Sequence, residues 1–336
     1  MNYDSLEKDI NNGLKPVYLL YGTEQYLIET AVRKIKKSFG ELVQGINYIL
    51  IDETNISELI SNIEMPAFGY DKKLIIVKNS GIFKKDGRKK TLTPVQERIY
   101  EFFTENYEII EDSVTIVFVE KEIDKNQIYE IIEKRDVVCE VNELKPNQLA
   151  AKLSKVCALY KVNIESNTLN YFIEMCGTSL QNLINEIRKL IEYAGEGGTI
   201  TIDAVNKLSI KQIDSVIFEL TDNLATKKID KALEVLDNLI YQKEPVQKIL
   251  ITLYNHFKKL YLCSLAVKFN KDIVNTLNLK PNQAFLITKY KKQCSYFKQN
   301  ELRNILDALV ELDYNSKNGK IDVDIGLRSI LCNYCS

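Results

Sequence analysis

The chain has 336 residues, 45% of them hydrophobic and 27% charged, and 45 basic against 46 acidic side chains leave a formal net charge of −1. That length and apolar content suit a folded protein of two or three domains and exclude a chain dominated by disorder. The balanced charge removes the general electrostatic pull of a self-sufficient nucleic-acid-binding domain, so any contact with DNA has to be local or assisted by partners.

The first residues, MNYDSLEKDI, alternate acidic and polar side chains and hold no apolar core that could serve as a signal peptide. The longest apolar runs, such as Val114 to Val119 with Thr115 inside, are strand-length and far short of the roughly 20 residues of a membrane span. Seven cysteines, scattered and odd in number, suit a reducing compartment. A cytoplasmic protein with no membrane segment is expected.

Over residues 1–142 short apolar runs alternate with amphipathic helices, the pattern of an α/β domain with a mostly parallel sheet. Five strands are predicted, Val17 to Tyr21, Asn47 to Ile51, Leu74 to Lys78, Val114 to Val119 and Val137 to Val141, each dense in Val, Ile, Leu or Tyr as buried parallel strands require. After the first strand Thr23 is expected to cap a helix whose Leu27, Ala31 and Ile35 share one face. Asn55 with Glu58 resembles a capping box, and Ile56, Leu59, Ile60 and Ile63 form an apolar stripe that Pro66 stops. A further helix starts at Thr93-Pro94, with Ile99, Phe102 and Phe103 facing inward.

After Glu143 strands give way to helical periodicity. Residues 143–210 read as a small helical domain, ending past the turn-rich Gly195, Gly197 and Gly198. Residues 211–336 read as a third, all-helical domain, with helices over Ile229 to Tyr241, Pro245 to Phe269 and Asn300 to Tyr314, and turns at Lys243-Glu244 and Asn318-Gly319. There is no internal repeat and no low-complexity tract.

A strand running into Gly22 and then a helix is where a phosphate-binding loop would sit, because helix N-terminal amides and glycine suit phosphate. VYLLYGTEQYLIETAVRK contains no GxxxxGK[ST], hence no lysine for the phosphates and no hydroxyl for magnesium at the required spacing. The third strand ends in Lys78 and Asn79, where an NTPase places the acid that holds magnesium. An NTPase outline that has lost its reaction is the reading, in preference to an active NTPase, and no cofactor is expected. His256, the single histidine, sits in a helical pattern and reads as a plain helix residue rather than a general base. Cys332 and Cys335 form a lone CxxC with too few ligands for a zinc site, so neither a catalytic nor a metal site is expected.

Five segments in order resemble the delta subunit of the bacterial DNA polymerase III clamp loader. PVYLLYGTEQYLIETAV is similar to that family's start, where an acidic residue follows the glycine. IEMPAFGYDKKLIIVKN resembles its clamp-contacting region, and TIVFVEKEIDK its fourth strand. GTSLQNLINEIRKLIEYAG resembles the helix of the second domain, and FELTDNLATKKIDKALEVLDNLIYQKEPVQKILITLYNHFKKL the collar. The resemblance implies an AAA+-like first domain, a small helical lid and a helical collar for oligomerisation. It also implies a non-catalytic subunit that binds and opens the sliding clamp, alongside ATP-hydrolysing and delta-prime-type subunits, so that the clamp is loaded on primed DNA. The chain lacks the phosphate loop and zinc cysteines of the motor subunits and the Ser-Arg-Cys trio that supplies an arginine finger.

Phe68 stands between two readings, a core residue or a displayed tip. Pro66 before it and Gly69 after it favour display, and the resemblance makes Met65, Pro66, Ala67 and Phe68 the clamp-binding residues. Ala67 stands where some members carry leucine, which leaves Phe68 as the main anchor. The run Lys84, Lys85, Arg88, Lys89 and Lys90 reads as a solvated basic loop, or else as a contact for DNA phosphates or an acidic partner. Asp272 to Gln293 has the rhythm of a helix-turn-helix, making a DNA-binding regulator the alternative function. Phe285, Leu286 and Ile287 in its second helix suit packing better than base reading.

Overall fold

Short strands rich in β-branched side chains stay ordered only if both of their faces are covered, and the N-terminal third of the chain is built to that requirement. The structure is a computed structural model that describes residues 1–85, 92–279 and 283–335. Met1–Glu143 forms one compact unit and Leu144–Ser336 another. Among the described residues no helix is long and apolar enough to cross a membrane.

The first unit runs α1 (Tyr3–Asn11), β1 (Val17–Tyr21), α2 (Gln25–Phe39), β2 (Tyr48–Ile51), α3 (Leu59–Glu64) and β3 (Lys73–Lys78). It continues with α4 (Pro94–Glu105), α5 (Tyr107–Ser113), β4 (Val114–Glu120), α6 (Gln127–Arg135) and β5 (Val137–Glu140). The five strands are parallel in the order β2-β3-β4-β1-β5, giving the expected five-stranded parallel sheet. On one face Val17, Leu19, Ile75, Val77, Ile116 and Phe118 share a core with Phe83 and Phe103. The Phe83 and Phe118 rings meet edge to face at 5.2 Å. Tyr18, Leu20, Leu74, Ile76 and Val117 alternate to the other face and are fully buried. Leu27, Ala31 and Ile35 of α2 are buried as their spacing requires.

Two helix starts differ from expectation. Thr23 does not cap α2, since its hydroxyl accepts from the Glu143 amide at 3.2 Å and lies 3.5 Å from Asn142 Oδ1, so it is spent on the chain leaving β5. Asn55 caps nothing either. Its Oδ1 accepts from the Asp52 amide at 2.8 Å, closing the turn after β2, and a short 3₁₀ turn, Ile56–Glu58, precedes α3. At Thr93 the expected start holds, with a full capping box to Gln96 and with Ile99, Phe102 and Phe103 buried.

The second unit begins with α7 (Pro146–Leu159), β6 (Asn163–Ile164), α8 (Ser166–Cys176), α9 (Leu180–Ala194), β7 (Thr199–Ile200) and α10 (Ile202–Leu208). The pairing of β6 with β7 corrects the expectation that strands vanish after Glu143; two residues are too short to carry a period. Helices follow as α11 (Ile213–Ala225), α12 (Ile229–Tyr241), α13 (Val246–Lys268), α14 (Ile273–Thr276), α15 (Leu286–Cys294), α16 (Gln299–Lys317) and α17 (Val323–Cys335). Leu253, Phe257 and Leu260 of α13 share a core with Leu220 of α11, Leu236 of α12, Ile305 of α16 and Leu327 of α17. The two parts of the unit are stitched together: the Gln212 amide donates to the Met175 carbonyl at 2.9 Å, and Lys289 pairs with Glu174.

His256 is buried in that helical core. Its Nε2 lies 2.8 Å from Gln293 Oε1 and 3.0 Å from Thr221 Oγ1, and Gln293 Nε2 donates to Asp222 Oδ1 and to the Phe218 carbonyl. The rings of Phe218 and Tyr290 flank it. Burial pushes the imidazole pKa down to about 4, against the opposing hydrogen bond of Gln293. Because the folded pKa lies below the unfolded one, its contribution to stability is complete above about pH 6.5 and is lost as pH falls toward 4. Urea unfolding is therefore expected to lose roughly 3 kcal/mol more between pH 7 and pH 4 in the native chain than in His256→Gln. Equal pH slopes in the two proteins would show that His256 does not set this dependence.

Candidate functional site

A phosphate-binding loop works by leaving backbone amides free at a helix N-terminus. In the turn after β1 three backbone amides are engaged by carbonyls of the chain itself. Gly22 donates to the Glu120 carbonyl at 3.2 Å, Glu24 to the Val141 carbonyl at 3.0 Å and Gln25 to the Thr23 carbonyl at 3.2 Å, while Gln25 Nε2 returns to the Gly22 carbonyl at 3.0 Å. Gly22 has φ +130°, and a Cβ there would stand 2.4 Å from the Val141 oxygen, so the chain passes too close to β5 for any side chain. The acidic Glu24 is itself buried beside this turn. At the end of β3, Lys78 and Asn79 replace an acid. A carboxylate next to it at this edge of the sheet is Glu120, at the end of β4, where Oε1 accepts from the Ser80 amide at 2.8 Å and from its hydroxyl at 2.6 Å. Burial raises the Glu120 pKa, with the Ser80 bonds and the Lys84 charge opposing, and the group serves to hold the turn after β3. Among the described residues no cluster of three or more His, Cys, Asp or Glu could hold a metal.

The second feature lies between α3 and β3. Met65 ends α3 in an extended conformation, the Tyr70 amide donates to the Ala67 carbonyl at 2.9 Å, and Gly69 takes φ +83° inside this turn. Phe68 occupies the apex and is 75% exposed, with Met65 55% exposed beside it. Pro66 is exposed and Ala67 half-buried. The structure thus places all four predicted residues on one apolar tip. Beneath it is a residue that sequence reasoning passed over. Lys73, the first residue of β3, is only 2% exposed, and its ammonium donates to the carbonyls of Asn62 and Met65. A lysine opening an apolar strand gives no sign in the sequence of which way its side chain turns.

Of the basic run, Lys84 and Lys85 are exposed on a segment whose backbone is pinned. Gln96 Nε2 donates to the Ile82 and Lys84 carbonyls, and the Lys85 amide to Asp124 Oδ2. Arg88, Lys89 and Lys90 lie outside the described residues.

The sheet order, the occupied loop and the tip stand beside clear sequence likeness. The family model of the DNA polymerase III delta subunit matches residues 18–142, and that of the delta subunit's C-terminal domain matches residues 214–334. The chain belongs to the DNA polymerase III delta-subunit family. The probable DNA polymerase III subunit delta of Aquifex aeolicus is 29% identical over 311 residues, spanning 90% of this chain and 86% of that one. The DNA polymerase III subunit delta of Bacillus subtilis is 24% identical over 335 residues, spanning 96% and 94%. A solved structure, the Bacillus subtilis DNA clamp loader delta protein, superposes with a TM-score of 0.76 at 21% identity over 99% of both chains, so the fold is shared from end to end. The delta subunit is a non-catalytic accessory subunit of the clamp loader in DNA replication, and not itself a polymerase.

The helix-turn-helix alternative finds no support. Its first helix, α14, has four residues, and Leu286 and Ile287 of α15 pack against the core of the C-terminal helices.

Two outcomes follow from the occupied loop of this delta subunit. Equilibrium dialysis with labelled ATP and magnesium is expected to give no saturable micromolar binding. Gly22→Ala is expected to destabilise the first unit by about 2 kcal/mol or more in urea unfolding, because the new methyl meets a carbonyl at a positive φ. A neutral Gly22→Ala variant would mean that the turn can move away from β5.

Proposed function

We propose that the tip Met65–Phe68 binds the sliding clamp and favours its open state, and that the helices of Leu144–Ser336 hold the chain among the ATP-hydrolysing and delta-prime-type subunits of the loader. The observation that carries the first part is the exposure of Phe68 on a turn anchored to the sheet. A ligand opens a ring only by binding its open state more tightly than its closed one, and a rigid apolar anchor does so without chemistry of its own. Aromatic side chains on such projections are the usual centres of protein interfaces. Met65 supplies apolar area beside Phe68, which offsets the small Ala67.

Within the second unit we propose a division of labour in which residues 143–210 act as a lid and residues 211–336 as a collar. Ile251 of α13 and Val310 and Tyr314 of α16 remain more than half exposed, apolar surface suited to neighbouring subunits. Primed DNA is then met through the assembled complex in the cytoplasm, with Lys84, Lys85, Arg88, Lys89 and Lys90 available for phosphate or acidic-partner contact without sequence preference.

Phe68→Ala is expected to weaken clamp binding by roughly 2 to 4 kcal/mol, about 30- to 1,000-fold, with an unchanged circular dichroism spectrum. Unchanged affinity in a folded variant would remove the tip from the interface. A fragment ending at Glu143, which retains the whole first unit, is expected to bind the clamp and to be left out when the loader is reassembled from its subunits. Its incorporation into the loader would overturn the proposed role of the second unit.

A further inference from the structure

We infer that Lys73 is a positioning residue for the tip: from the first position of β3 it holds the carbonyls of Asn62 and Met65, and so sets the direction in which Phe68 is presented. This inference rests on the reading of the tip as the clamp-binding element.

The last carbonyls of a helix have no partner within the helix, and they attract a cation. In α3, only six residues long, that need is acute, because a helix so short has little stability of its own. Lys73 meets it from across the structure. Its backbone is registered against Val114 of β4, so its Cα is fixed by the sheet. Its side chain turns back under the connection to reach Met65, the residue that leads directly into the turn displaying Phe68. The path from sheet to tip is one side chain long.

The placement is costly. An ammonium group buried in this way loses hydration, and among the described residues Lys73 forms no ion pair to offset that loss. Burial accordingly lowers its pKa. An apolar side chain would fill the same space at less expense, but it would leave both carbonyls without a donor and the start of the tip untied. Around Gly69 nothing lies within 4 Å of where a Cβ would be, so the residue after Phe68 stands in open space. A tip restrained before it binds loses less conformational freedom on binding.

The chain has no tryptophan, so Phe68→Trp places a single reporter on the tip. In that background Lys73→Met is expected to lower the steady-state anisotropy of the tryptophan emission, and Lys73→Arg, which keeps a charged donor, to restore most of it. With Phe68 in place, Lys73→Met is expected to weaken affinity for the sliding clamp of the same cell about tenfold or more, the loss associated with hydrogen bonds to a charged group. Combined with Phe68→Ala it is expected to add nothing further. Urea unfolding and circular dichroism identify the folded variants. Should Lys73→Met not fold, Lys73→Gln carries the same comparison. Unaltered anisotropy and affinity in folded Lys73→Met, or a loss of equal size in the Phe68→Ala background, would overturn the assignment. If Phe68→Ala itself binds the clamp normally, the clamp reading fails, while the anisotropy comparison still decides whether Lys73 restrains the tip.

Discussion

Burial of the parallel sheet on both faces governs what the first unit can do. Every residue of β1 and β4 is buried, and so are all but the last of β3, so these three central strands offer no surface for recognition. Function is confined to strand ends and to the connections between elements. Three such places bear on the reading: the turn from β1 into α2, the connection from α3 to β3, and the segment after β3 that Ser80, Gln96 and Asp124 pin in place. The first closes on itself, the second projects a phenylalanine, and the third presents Lys84 and Lys85 to solvent.

The closing of the first and the projection of the second are complementary. Around Gly22 three backbone amides are bonded to carbonyls of β4, of Val141 just after β5 and of the turn itself, which ties the strand–helix junction to the neighbouring strands. A chain without a reaction can act on a partner only through differences in binding energy between that partner's states. The tip is suited to this, since its apex is apolar, its turn is short, and Lys73 joins its base to the start of β3.

The second unit solves a different problem. Its helices have a long apolar core centred on α13, and a polar network of His256, Thr221 and Gln293 runs through it. A network of this kind adds direction to a core that apolar contact alone would hold less specifically, since each partner is satisfied only in one register of α11, α13 and α15. Exposed apolar residues elsewhere on α13 and α16 are then free to serve contacts outside the chain.

Much of this was legible in the sequence because it is carried by periodicity and by missing residue types. Five dense apolar runs identify the strands to within about one residue at each end, the absence of a lysine and hydroxyl at phosphate-loop spacing after Gly22 argues against nucleotide chemistry, and Pro66 and Gly69 bracket Phe68. Such features are local, and each can be read without knowing what lies across the fold. The destinations of polar side chains could not be read in this way. Thr23 and Asn55 have the residue types of helix caps but are drawn to other partners 120 and 3 positions away, and Lys73 gives no local sign that it reaches back to Met65. His256 reads as one more helix residue until α11 and α15 enclose it. A hydrogen bond goes to whichever partner the packed chain brings within about 3 Å, so only the tertiary structure decides it.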